Sequence, residues 1–274
     1  MGEREIRARV ETGPPPAAGA SATPLIALEA VVIDTETTGL DPAKARLVEI
    51  AALPIAAGGI AAAPPFRALV CPDEPIPESA TRIHGIGDAA VAQAPRFAEV
   101  WPALQAAIGG KVVIGHSLGF DLAVLKRECE RAGVAWVRPR SLDTRLLAEV
   151  ARPNLAGYSL EQLAAWLGVE VTGRHAALAD ATTTALVFLA LVPKLRERGV
   201  RTLAEAEQAC RTLRTSVEEQ VRAGWIEPVE APGRRDAEPA LRRIDTYPYR
   251  HRVADVMRKP ARFSGNTNTT ALTT

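Results

Sequence analysis

The stretch VVIDTETTGLDP, residues 31–42, decides the fold, because it places two carboxylates at the end of a run typical of a buried β-strand. Residues two apart in a strand project from the same face, so we expect Asp34 and Glu36 to lie side by side while Thr35 points to the other face. Two adjacent carboxylates repel each other, and burying them is costly unless a cation compensates. A bound divalent metal is one interpretation of the pair, and a solvated strand end is the other.

The segments that follow predict an α/β domain. LEAVVIDTE, RLVEIAALPIAAGGI and FRALVCP predict three strands, and the Gly-Gly turn between the second and third favours an antiparallel meander. From Pro95 onwards helical patterns dominate, with one further strand at KVVIGH. The helical segments are RFAEVWPALQAAI, FDLAVLKRECERAG, DTRLLAEVA, SLEQLAAWLG and HAALADATTTALVFLALVPKLRERG. Strands first and helices after indicate a mixed α/β layer.

Two later segments add polar residues that could join the carboxylate pair. Asp121, in VVIGHSLGFDLAVL, stands at a helix start, where it is either a helix cap or a site residue. His175 and Asp180 are five residues apart in RHAALADATTTALVFL. At about 100° per residue they cannot share one narrow stripe of a helix, so they converge only if His175 lies in the preceding loop. A loop histidine and a solvated helix carboxylate are the alternative interpretation.

Taken together, D-T-E-T-T-G, H-S-L-G-F-D and H-A-A-L-A-D resemble the three motifs of the DEDDh (DnaQ-like) 3′ to 5′ exonucleases, in the family's order. That family includes the proofreading subunit of the bacterial replicative polymerase. The resemblance covers about residues 28–196, and the segment from Ile83, IHGIGDAAVAQAPRFAEVWPAL, resembles the family's H-G-I region. It implies a ribonuclease H-like fold, a mixed five-stranded sheet flanked by helices. The histidine five residues before the last aspartate is typical of the histidine branch.

The resemblance also implies a mechanism and its residues. Two divalent ions, Mg²⁺ or Mn²⁺, are held by Asp34, Glu36, Asp121 and Asp180, with Asp34 bridging both. His175 is the implied general base. The residues implied around the terminal nucleotide are Thr37, Leu40, His84 and Phe120, for which turn formation and core packing are the alternatives. The implied reaction is hydrolysis of single-stranded nucleic acid from the 3′ end, DNA favoured, with release of nucleoside monophosphates.

Other polar and aromatic residues have simpler interpretations. Asp143 precedes RLLAEV and is predicted to cap that helix, although it matches a frequent family aspartate. His116 is expected to shape the site and not to bind metal. Ser117 departs from the Asn that many relatives have after this histidine. Trp225 is assigned to a contact of the C-terminal tail.

The chain divides into four predicted segments. Residues 1–27 are a Pro- and Ala-rich lead-in expected to be flexible, 28–198 form the exonuclease domain, and 199–228 form a C-terminal helix. Residues 229–274 are a linker and tail, in which YPYRHRVADVMRKP resembles the start of a CBS domain. A second function therefore stays open, a catalytically idle or regulatory nucleotide-binding domain of a larger CBS-containing protein.

Composition limits the partners. The 274 residues have a formal net charge of +1, which argues against non-specific coating of nucleic acid and requires local contacts to an anionic strand. The expected partners are 3′ ends of single-stranded DNA or RNA, and either a DNA polymerase or a second copy of the chain. The three cysteines lack C-x-x-C spacing, the start lacks a signal-peptide core, and no apolar run reaches about 18 residues. We therefore expect a cytoplasmic protein that does not enter a membrane.

Overall fold

The computed structural model describes residues 21–227. The predicted linker and the CBS-like segment lie outside the described residues, as does the predicted lead-in up to residue 20.

A mixed sheet forms the centre of the described chain. Its order is β3-β2-β1-β5-β6, and β4 also pairs with β2. β1 runs antiparallel to β2 and parallel to β5, and β5 runs parallel to β6. The strands are β1 (Ala30–Thr37), β2 (Leu47–Ala56), β3 (Gly59–Ile60), β4 (Phe66–Leu69), β5 (Val112–Gly115) and β6 (Ser141–Asp143).

The sheet has six strands where we predicted five, because one sheet position is divided between two short strands. β3 pairs with Ile55 and Ala56 of β2, while β4 pairs with residues 49–52, both on the edge that β1 leaves free. The intervening residues include Pro64 and Pro65, which have no backbone N–H to donate to a ladder. The ribonuclease H-like mixed sheet flanked by helices is confirmed, with its outer strand interrupted.

The predicted helical patterns are confirmed. Ser159 caps one helix, accepting a hydrogen bond from the Gln162 backbone at 3.3 Å, and Gly133 ends another with φ 66°. The helices are α1 (Glu78–His84), α2 (Asp88–Val91), α3 (Phe97–Ile108), α4 (Gly119–Ala132), α5 (Thr144–Ala151), α6 (Leu160–Leu167), α7 (Ala177–Glu197), α8 (Leu203–Arg211) and α9 (Arg214–Arg222).

The two faces of the sheet bury different helices, and the alternation of β1 assigns its side chains between them. Ala30 and Val32 pack in one apolar cluster with α5, α6, α7 and α8. Val31 and Ile33 pack in the other cluster with α3 and α4. Asp34 and Glu36 continue the first face towards α7, and Thr35 continues the second towards α4.

Helix α7 is the longest described helix, and it is the one described helix whose length and composition would allow it to cross a membrane. Its side chains Phe188, Leu191 and Leu195 are fully buried, and α7 packs against β1 and β2. Packing in the domain core accounts for its apolar composition.

The core extends past both predicted domain boundaries. Leu25 belongs to the predicted flexible lead-in, yet it is buried, and the backbone of Thr23 accepts a hydrogen bond from the Leu203 N–H at 3.0 Å. Leu203 and Ala206, in the predicted separate C-terminal helix, are fully buried in the same cluster. The described residues before 28 and after 198 are therefore parts of the domain.

The predicted C-terminal helix is also two helices, α8 and α9. The Thr212 hydroxyl donates to the Ala209 carbonyl at 2.6 Å, a local bond that competes with continuation of the helix.

Candidate active site

Three carboxylates from β1 and α7 converge on one point. Asp34 and Glu36 end β1 on the face towards α7, and Asp180 lies in the first turn of that helix. Each offers one oxygen, and these three oxygens all lie within 4.8 Å of one another. Glu36 and Asp180 are buried, at 9% and 6% exposure. A close set of carboxylate oxygens is the donor set that hard divalent cations prefer, so the residues fit such an ion.

The fourth carboxylate approaches from the other face of the sheet. Asp121 lies in the first turn of α4 and is 6% exposed. The Thr35 hydroxyl donates a hydrogen bond to Asp121 Oδ1 at 2.6 Å. As predicted, Thr35 points away from the Asp34 and Glu36 pair, and it thereby fixes Asp121. The sequence motifs assign no role to Thr35, although strand alternation towards an aspartate-bearing helix was the available signal.

The cluster is electrostatically unfavourable on its own. Burial raises the pKa of Asp34 well above its usual range, and the charges of Asp121 and Asp180 add to that shift. Burial and the charge of Asp180 raise the pKa of Glu36 to about 7. Burial likewise raises the pKa of Asp121 to about 7. A site in which neighbouring carboxylates resist ionisation favours the binding of cations.

One arginine supplies part of the compensating charge. The Arg174 guanidinium forms charged hydrogen bonds to Asp180 and to Glu161. Its charge lowers the pKa values of Asp34 and Glu36, opposing the effect of burial. Arg174 precedes the motif histidine, and its position in RHAALAD was the only signal for it.

His175 lies in the loop before α7, as convergence with Asp180 requires. The helix begins at Ala177, and His175 adopts a left-handed backbone with φ 56°. Its backbone N–H donates to Asp180 Oδ2 at 3.0 Å, and its side chain is exposed. Burial lowers the pKa of the His84 imidazole, and the charge of His175 adds to that shift.

The N-terminus of α7 is anchored by a side chain from β2 that the sequence motifs do not indicate. The cap residue Ala176 offers no side-chain hydrogen bond. Glu49, fully buried, accepts from the Ala177 N–H at 3.0 Å through Oε2 and from Arg67 Nε at 2.5 Å through Oε1. A carboxylate at a helix N-terminus also interacts favourably with the helix dipole. Glu49 therefore fixes the turn of α7 that carries Asp180.

The four residues implied around a terminal nucleotide differ in accessibility. The Thr37 side chain is buried and its hydroxyl donates to the Gly39 carbonyl at 2.7 Å. Leu40 is 84% exposed in the loop after β1. His84 ends α1, and Phe120, half-buried in the first turn of α4, contacts the ring of Trp225. Leu40 is therefore accessible to a ligand, and Phe120 is partly so.

Asp143 has the structural role that we predicted. It caps α5, with Oδ1 accepting from the Arg145 N–H at 2.9 Å and from the Ser117 N–H at 3.0 Å. Its Oδ2 accepts from Gln220 Nε2 at 3.0 Å. Ser117 has φ 55°, a left-handed conformation that Asn adopts more readily than Ser.

His116 is absent from the carboxylate cluster. Its Nδ1 lies 3.0 Å from the Thr144 hydroxyl. Burial lowers the pKa of this imidazole to about 4, and the charge of Arg145 adds to the shift. His116 is therefore neutral at neutral pH and supports the wall of the site.

A cavity of about 410 Å³ opens beside the carboxylates. Asp34 and Asp180 belong to its lining, and two arginines contribute positive charge, a combination that suits a phosphate-bearing strand. The other lining residues are His116, Ser117, Arg145, Tyr158, Ser159, Leu160, Glu161 and Arg174.

Comparison with known proteins agrees with this geometry. A protein-family model described as Exonuclease matches residues 31–188, a range that includes all four carboxylates and His175. A DNA polymerase III subunit epsilon-like protein of Rhodobacter capsulatus is 42% identical over 183 residues, which are 66% of this chain and 26% of that protein. The chain thus spans about a quarter of that relative's length.

Two further relatives match over most of their own length. The DNA polymerase III subunit epsilon of Aquifex aeolicus is 34% identical over 165 residues, 60% of this chain and 81% of that protein. A solved structure of exonuclease X in complex with 5′ overhanging duplex DNA is 29% identical, with a TM-score of 0.52, over 65% of this chain and 98% of that one.

Proposed function

This chain belongs to the Exonuclease family, and from that membership we propose that it hydrolyses single-stranded nucleic acid stepwise from the 3′ end and releases nucleoside monophosphates. The observation that carries the proposal is the convergence of Asp34, Glu36 and Asp180, with Asp121 approaching from the other face of the sheet. DNA is the favoured substrate, because relatives are named for DNA polymerase III and for a complex with DNA. Those names also support a DNA polymerase as protein partner, while a homodimer stays a prediction, as does cytoplasmic location.

The carboxylates would hold two divalent cations, Mg²⁺ or Mn²⁺. The proposed ligands are Asp34, Glu36, Asp121 and Asp180. Two such ions, when bound, stabilise both the attacking and the leaving oxygen of a phosphoryl displacement.

His175 is the proposed general base. Histidine titrates near neutral pH, so it can accept the proton of the attacking water. The water oxygen forms a bond to phosphorus, the P–O3′ bond breaks, and the leaving 3′ oxygen takes up a proton. Because the His175 side chain is exposed, its proton can pass to solvent between turnovers.

Substrate contacts are proposed on both sides of the carboxylates. Leu40 and Phe120 would contact the terminal base and sugar, since apolar and aromatic surfaces bind single-stranded bases with little sequence preference. His84 and Thr37 complete that side. Arg145 and Arg174 in the adjacent cavity would face phosphates, which gives a local grip to a chain of nearly neutral net charge.

The direct test follows 5′-labelled single-stranded DNA and RNA over time with Mg²⁺ or Mn²⁺. We expect a descending ladder that EDTA abolishes and that a blocked 3′ end prevents. Asp180→Asn should reduce the rate by at least about 100-fold, because it removes a ligand from the reacting centre. Glu197→Gln changes an exposed carboxylate at the other end of α7 and is the matched control, with unchanged rate expected.

The same assay separates the competing functions. Equal degradation of 5′-blocked and 3′-blocked strands would contradict the polarity. Absence of cleavage with either metal, together with a rise in Tm on adding Mg²⁺, would favour the idle nucleotide-binding domain. A ladder that survives in Asp180→Asn would contradict the assigned site.

A further inference from the structure

Residues 214–227, here called the C-terminal segment, lie outside the family match at 31–188 and pack on the start of α4. The ring of Trp225 meets that of Phe120 edge to face, with centroids 6.1 Å apart and planes at 70°. Phe120 directly precedes Asp121 in the chain and is one of the proposed nucleotide contacts. The segment therefore contacts the wall of the site through an aromatic pair.

Buried polar contacts fix the position of this segment. Gln220 is 2% exposed, and its amide donates to the buried Asp143, which caps α5. Ser216, 6% exposed, donates to Glu149 Oε2 at 2.6 Å. Buried hydrogen bonds of this kind are costly to break, because they leave polar groups unsatisfied. The segment therefore has one defined placement.

The backbone of α4 approaches the C-terminal segment closely at Gly119. A Cβ atom at Gly119 would lie 3.1 Å from both Gln220 Oε1 and Trp225 Cβ. Further along α4 from Phe120, Lys126 forms an ion pair with Glu227. Contacts therefore flank Phe120 on both sides along α4.

We propose that Trp225 is a positioning residue that holds the Phe120 ring in the orientation that receives the 3′-terminal nucleotide. The C-terminal segment then forms the outer wall of the nucleotide-binding surface and contributes to substrate affinity from outside the matched family region. This inference rests on the proposed function, because it concerns the binding of the same substrate. Trp225 acts through Phe120 and takes no part in the chemical step.

The size of the effect follows from the aromatic pair. Edge-to-face aromatic pairs stabilise a structure beyond the effect of the apolar area that they bury. Loss of the pair frees the Phe120 ring, and we expect the substrate to bind about twofold to tenfold more weakly. An interaction made equally in the bound and transition states changes KM and leaves kcat unchanged. A residue that only stabilised the domain would not raise KM while leaving kcat unchanged.

The experiment uses the full chain and two readouts. Exonuclease kinetics on a short single-stranded DNA give kcat and KM, and anisotropy of a fluorescein-labelled DNA in EDTA gives Kd without turnover. For Trp225→Leu, which keeps apolar volume, we expect KM and Kd to rise together by about twofold to tenfold, with kcat within about twofold. Trp225→Phe should restore most of the affinity. Glu218→Ala, an exposed change on α9, is the matched control and should leave all constants unchanged.

Three outcomes would overturn the proposal. One is an unchanged Kd in Trp225→Leu with a native far-ultraviolet circular dichroism spectrum. Another is a fall in kcat at constant KM, which would mean that the metal site itself is disturbed. The last is an equal loss of affinity in Glu218→Ala. If the wild type binds DNA without cleaving it, the proposed function fails, and the ratio of Kd values still tests Trp225.

Discussion

At the scale of single residues, three consecutive side chains of β1 face two different helices. Asp34 and Glu36 face α7, where Asp180 completes the cluster, while Thr35 faces α4 and fixes Asp121. Strand alternation is the cause, since each step along β1 reverses the face of the sheet. A one-residue shift in register would turn Asp34 and Glu36 towards the face of α4 and separate them from Asp180.

The His116 imidazole predicts the direction in which the free energy of unfolding changes with pH. Its folded pKa is lowered to about 4 by burial, whereas an unfolded histidine titrates near its ordinary value of about 6.5. Between these values the unfolded state binds a proton that the folded state refuses, so the free energy of unfolding falls as pH falls. The contribution at pH 5 is about 2 kcal/mol, from about 1.4 kcal/mol per pKa unit.

We therefore expect His116→Gln to lose less stability than the wild type between pH 7 and pH 5. Urea unfolding at the two pH values measures both changes. Carboxylate titration affects wild type and variant alike. The difference between the two slopes of unfolding free energy against pH therefore reports on His116 alone. Equal slopes would show that the imidazole becomes protonated in the folded protein.

At the scale of elements, the position of α7 depends on Glu49 of β2. This carboxylate is fully buried and bridges the Ala177 N–H and Arg67. Removal of the Arg67 guanidinium leaves the buried Glu49 carboxylate with only its hydrogen bond from the Ala177 N–H. Replacement of the Glu49 carboxylate by an amide removes the charge but leaves an oxygen that can still accept from the Ala177 N–H. The two changes should therefore differ in cost.

We expect Arg67→Ala to lower the free energy of unfolding by about 2 kcal/mol, below the usual range for breaking a buried pair because Arg67 is 55% exposed. Glu49→Gln should cost about 1 kcal/mol. Arg96→Ala removes an exposed ion pair to Asp73 and is the matched control, at less than about 0.5 kcal/mol. Urea denaturation orders the three variants, and a cost for Arg67→Ala no larger than that for Arg96→Ala would contradict the anchoring role.

The sequence predicted those elements whose signals are local. A short apolar run bounded by turn residues predicted β1, helical periodicity with Gly133 predicted α4, and Ser159 predicted the start of α6. The charge compensation in the site was not predictable in this way. Glu49 meets Ala177 across 128 positions of sequence, and Arg174 pairs with Glu161 through the packing of a loop on α6. Such contacts depend on tertiary placement, which neither propensity nor spacing encodes.

At the scale of the whole molecule, the core continues beyond the residues that match the family model. The match ends at 188, but Leu203 and Ala206 are fully buried in the same apolar cluster as α7. Residues before β1 also join it, since Pro24 forms a β-bridge with Thr202. Residues 23–24 therefore lie against residues 202–203, and the C-terminal segment continues from there to the wall of the site.

This continuity predicts that residues 199–227 are needed for a stable domain. Compared with a chain of residues 21–227, a chain of residues 21–198 loses the burial of Leu203 and Ala206 and the hydrogen bond of Gln220 to Asp143. Full burial of a leucine contributes about 2–3 kcal/mol and a buried hydrogen bond about 1 kcal/mol, so we expect a loss of about 4–6 kcal/mol. For a domain of this size the Tm should fall by about 10–20 °C.

Thermal unfolding of the two chains, followed by circular dichroism, measures the difference. Within residues 21–227, Leu203→Ala should cost about 2–4 kcal/mol because it opens a cavity in a fully buried site. Leu186→Ala, on α7 at 37% exposure, is the matched control and should cost less than about 1 kcal/mol. Equal Tm values for the long and short chains would mean that α8 and α9 rest on a domain complete without them.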